Sequence, residues 1–225
     1  MFYPLTLIAT LVIGALILFS NYLVFMVVPN EAVMGAVQRI FYFHVGSAFA
    51  CYCSVAVMLF GALWFLSSRN KKADALQLAA GEVGFAFCSI VLVSGMIWAN
   101  SAWNIPFSWK EPRLVSFLCL WLIFLGFLLL RKFGAANNVA AHSAVFSILG
   151  ALTVPVVVYS VKILSNVAQL HPVVVENRGL REPIFVFAFW FTNFALVVMQ
   201  FVLVAVRYRL ELLDIRIKFK EIDLQ

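Results

Sequence analysis

Six stretches of this chain are apolar for about the length of a bilayer crossing. They run over residues 5–28, 40–66, 76–98, 114–130, 139–163 and 184–206. A helix needs roughly 20 mostly apolar residues to span the hydrocarbon core of a membrane. The chain therefore reads as an all-α integral membrane protein, a bundle of six transmembrane helices. Composition agrees: 64% of its 225 residues are hydrophobic and 12% are charged. Soluble domains have about 45–50% and about 25%. In such a chain the net charge of +6 bears on topology and gives no reason to expect nucleic acid. The four cysteines, Cys51, Cys53, Cys88 and Cys119, all lie in apolar runs, so buried, unbridged thiols are expected. No C-x-x-C-H haem-attachment site is present.

Six crossings put both termini on one side. Arg69, Lys71, Lys72, Arg131, Lys132 and five cations of the tail share that side, ten of the sixteen Lys and Arg. The positive-inside rule makes it cytoplasmic. The expected organisation is a membrane domain over residues 1–206 and a cytoplasmic tail over 207–225. Alternating apolar and polar residues leave the tail open to helix or strand. Pro155 predicts a kink in the fifth span.

One connection stands apart. WANSAWNIPFSWKEPRLVS, residues 98–116, holds three of the six tryptophans, together with Pro106 and Pro112. Proline breaks helices, so the stretch reads as an interfacial loop between spans three and four. His44 opens span two, and His171 lies in the long polar connection before span six. By parity these two histidines and the tryptophan loop emerge at one face, while His142 lies at the other.

Two imidazoles on separate segments can approach a flat macrocycle from both sides, and histidine is a common axial ligand of haem iron. Aromatic rings could stack on the porphyrin. Arg113, Lys110, Arg178 or Arg181 could pair with its propionates, arginine suiting carboxylates in particular. Zinc hydrolysis would need three convergent ligands, and this face offers two histidines. Glu82 is the one ionisable residue within a span that could suggest an ion path. A different reading stays open, because Trp and Tyr gather at membrane interfaces for solvation alone.

RIFYFHVGSAFACY, residues 39–52, resembles the start of the second span in the haem exporter protein C family of the system I cytochrome c maturation machinery. Residues 97–131 resemble that family's tryptophan-rich segment and the span after it. The likeness covers roughly residues 5–206. It implies that His44 and His171 ligate the iron of haem b at the periplasmic face of a bacterial inner membrane. It gives Trp98, Trp103, Trp109 and Phe107 to a platform for the macrocycle and makes Arg113 the arginine that closes the motif. The implied role is haem handling rather than bond-making chemistry. The implied partners are a membrane-anchored haem chaperone, an ATP-driven transporter pair and a small membrane subunit. A haem-lyase-like member of the superfamily and an assembly subunit without its own haem site are the rival readings. The family motif is close to W-G-x-W-W-x-W-D-x-R-L-T. Here it is W-N-I-P-F-S-W-K-E-P-R-L-V, one residue longer, with Asn104 for the glycine and Pro106-Phe107 for the middle tryptophans.

Overall fold

The computed structural model describes residues 3–32, 34–135, 138–163 and 182–223. Helix α1 is Tyr3–Tyr22 and continues into a π-helical turn, Leu23–Val27. A short 3-10 turn, Ala36–Gln38, leads into α2, Arg39–Ser68. Then follow α3 (Lys71–Trp103), α4 (Pro112–Phe133), α5 (Val139–Ile163) and α6 (Pro183–Asp223). Among the described residues six helices are long and apolar enough to cross a membrane, and the protein is an all-α, multi-pass bundle.

Local chemistry sets the breaks. α2 ends where Arg69 turns left-handed, at φ 54°. Asn70 then caps α3, its side chain accepting from the Lys72 amide at 2.8 Å, which satisfies one of the helix's open donors. Pro112 sits in the first turn of α4, where its missing N–H costs nothing. Arg131 and Lys132 close that helix, at the negative end of its dipole. α5 continues through Pro155. α6 is helical from the membrane segment to Asp223, which resolves the ambiguous tail as helix.

The core is the α2–α3 hairpin, the most extensive helix pair of the bundle. Small residues let its backbones approach, the usual device where lipid removes most of the hydrophobic drive. A Cβ on Gly61 would lie 2.9 Å from the Gln77 backbone nitrogen, and one on Gly84 would lie 3.0 Å from Cβ of Ser54. Gly81 and Gly84 also make room for the rings of Phe127 and Phe124 from α4. α5 and α6 flank α2, α4 packs on α5, and α1 lies on α6.

Polar groups tie the end that carries the start of α3. Arg131 of α4 is paired with Asp74. Gln77 donates to the Ala140 carbonyl of α5 at 3.2 Å and accepts from Ser147 at 3.2 Å. Glu82 is not solitary in its span: Arg207 of α6 is paired with it. None of the four cysteines is bridged. Cys51 and Cys88 are buried, but Cys119 is exposed on the outer side of α4. The expectation of burial fails there because an apolar membrane helix also needs residues for its lipid side.

Candidate functional site

His44 lies in the second turn of α2. Stacked rings on either side of it in sequence fix its turn of helix, and α3 fixes its ring. Phe41 stacks on Phe189 of α6, with centroids 5.3 Å apart and planes 19° apart. Phe43 stacks on Phe25 at 5.9 Å and 17°. These contacts anchor the turn. The imidazole then faces the last third of α3, where Nδ1 is 3.0 Å from the Ser94 hydroxyl. Gly95 next to it carries no side chain to push the ring away.

Trp98 and Trp103 are not in a loop, as the sequence suggested. They belong to the last two turns of α3, which runs to Trp103 and is capped by Asn104 in the left-handed region at φ 54°. The reason is local: the first proline is Pro106, so no proline or glycine breaks the helix between Trp98 and Trp103. Asn tolerates the left-handed cap that glycine usually supplies. The two indoles meet edge to face, with centroids 5.0 Å apart.

The true loop is 104–111. Phe107 and Trp109 form a second edge-to-face pair at 5.1 Å. Trp109 is 75% exposed and Ile105 47%. Ser108 shapes the turn: its hydroxyl accepts from the Lys110 amide at 3.3 Å and its carbonyl from the Glu111 amide at 3.2 Å. Glu111 is buried just before α4. Arg113 follows in the first turn of α4, partly buried. Ser94 also lines an open apolar depression of ≈ 340 Å³ with Ser89, Ile90, Val93 and Ile97.

His44, Trp98, Trp103, Phe107, Trp109 and Arg113 thus share one end of the bundle. His142, near the start of α5, lies at the opposite end with Gln77. His171, Arg178 and Arg181 lie outside the described residues. Ser94 and Gly95 were not singled out from the sequence. Among the described residues no three His, Cys or acidic side chains gather as metal ligands.

This arrangement defines a class: a multi-pass helical membrane protein with an imidazole, two aromatic pairs and a cation at one end. Residues 2–223 match the family described as CcmC, heme exporter protein C, and the chain belongs to that family. It is 30% identical over 154 residues to heme exporter protein C of Bradyrhizobium diazoefficiens, covering 68% of this chain and 57% of that protein. It is 29% identical over 140 residues to a ccmC-like mitochondrial protein of Marchantia polymorpha, 62% and 59% of the two chains. To heme exporter protein C of Haemophilus influenzae it is 28% identical over 187 residues, 82% and 75%. The chain therefore spans less than two thirds of the first two relatives.

Proposed function

We propose that this chain binds haem b at the periplasmic face of a bacterial inner membrane and presents it for cytochrome c maturation. His44 and His171 are the axial ligands. Trp98, Trp103, Phe107 and Trp109 provide the aromatic platform, and Arg113 pairs with a propionate. The receiving partner is a membrane-anchored haem chaperone. An ATP-driven transporter pair and a small membrane subunit complete the assembly. The chain handles haem and makes no bond in it.

The observation that carries this reading is His44, held against α3 by Ser94 at the same end as both aromatic pairs and Arg113. The donor set fits haem. A macrocycle that brings four nitrogens of its own needs only axial ligands, whereas a bare ion would need a cluster of three or four side chains. Bound haem would supply an iron with open axial positions. The protein supplies the imidazole, an apolar wall at Ile90, Val93 and Ile97, and a positive charge at the rim.

The rival is a membrane-interface belt with no haem, and the exposure of Trp109 and Ile105 is what a belt would show. The absorbance spectrum of the purified protein separates the two. The expected result is a Soret band that changes in His44→Ala and His171→Ala and is intact in His142→Ala. No haem in the wild type, or equal loss in all three variants, would sink the proposal.

A further inference from the structure

We propose that Ser94 is a positioning residue for His44. It locks the imidazole in the tautomer with the proton on Nδ1 and so aims Nε2 at the iron. This rests on the haem reading above.

The Ser94 hydroxyl has one proton and three polar neighbours. The Ile90 carbonyl, one turn back on α3, is 2.6 Å from Oγ, and Nδ1 of His44 is 3.0 Å away. A carbonyl can only accept, so the shorter bond takes the hydroxyl proton. Oγ then presents a lone pair to the ring, and Nδ1 must be the donor. The Val91 carbonyl, 3.3 Å from the same oxygen, is another group that can only accept, so it too competes for the hydroxyl proton and not for the lone pair. The ring therefore meets an acceptor, Ser94 Oγ, on its α3 side. In that tautomer the one in-plane lone pair of a neutral imidazole is on Nε2, the atom needed for metal ligation. Donation from the other nitrogen fixes ring orientation and raises ligand basicity. The hydroxyl is itself fixed to its helix, so the ring is aimed by α3 as well as by α2. Gly95 completes the cradle by leaving the ring room against the α3 backbone.

The test has two arms. In the haem-free full chain in lipid nanodiscs, nitrogen NMR of ¹⁵N-histidine-labelled protein reads the His44 tautomer. The Nδ1–H form is expected in the wild type, a mixture in Ser94→Ala, and the wild-type form again in Ser94→Thr, which keeps the hydroxyl. In the second arm, haem titration should show affinity lower by about 10–100-fold in Ser94→Ala, with recovery in Ser94→Thr. A wild-type His44 protonated on Nε2 would overturn the proposal. So would a Ser94→Ala variant with unchanged tautomer and unchanged affinity. Wild-type protein with the expected tautomer but no haem binding would overturn the haem reading itself, and with it any role of Ser94 toward iron.

Discussion

A methyl group on Gly95 would lie 3.0 Å from Cε1 of His44, so the bare backbone of α3 is the surface on which the imidazole rests. The ring must yield by a few tenths of an ångström to admit alanine. Alanine is also the better helix former, by roughly 0.5–1 kcal/mol. Gly95→Ala is therefore expected to keep or raise thermal stability while shifting the Soret band. Gly95→Val, with two more methyls, should reduce haem retention at least several-fold. An unshifted spectrum in both variants would show that the ring does not use this surface.

Trp109 and Arg113 should fail in different ways. A stacked aromatic ring buries up to about 150–250 Å², and at about 25 cal/mol per Å² that is a few kcal/mol. Because Trp109 is 75% exposed, Trp109→Ala should leave the fold intact and weaken haem binding by tenfold or more. Arg113→Ala should leave the histidine-ligated spectrum nearly unchanged while haem dissociates faster. The difference from wild type should be larger at low salt, where the intact ion pair is least screened. Haem off-rates in the two variants at two salt concentrations check this.

At the other end, the Asp74–Arg131 pair is a stability element. The side chains are 25% and 10% exposed, and Asp74 also accepts from Gln77 at 2.7 Å. Removing one partner of a buried pair costs about 3–5 kcal/mol. This pair's residual exposure places it at the low end of that range. Asp74→Asn and Arg131→Met should each lower the melting temperature of the purified protein, and the double variant should lose less than the sum. Haem spectra should not change, because the pair lies at the end away from His44.

Sidedness has its own test. Cysteines introduced at Ser68 and Gln225 should resist an impermeant thiol reagent in intact cells, and one at Asn177 should react. The reverse pattern would place the histidine end in the cytoplasm.

Much of the fold was legible because a bilayer imposes length and apolarity on each crossing, and six runs in the sequence meet both. Less was legible where geometry depends on residues far apart in the chain. The last turns of α3 looked like loop because tryptophans and prolines share one stretch, yet Trp98 and Trp103 precede the first breaker. Cys119 was expected inside because apolarity marks membrane residues on either side of a helix. Ser94 was overlooked because serine in a span usually bonds its own helix, as Ser94 also does with Ile90. A signal for it existed in the hairpin register. Gly61 and Gln77 meet eight residues either side of Arg69, and Ser54 and Gly84 fifteen either side. His44 and Ser94 stand twenty-five either side.

That symmetry makes the fifty positions from His44 to Ser94 a ruler. One residue inserted into either helix between its contact and the turn would rotate everything beyond it by about 100° and slide it by about 1.5 Å. The imidazole would then face a different side of α3. Substitutions along the hairpin leave this spacing alone, while a single insertion or deletion resets it. The distance between a ligand and its aim is thus kept by counting, and the site tolerates changes of letter far better than changes of length.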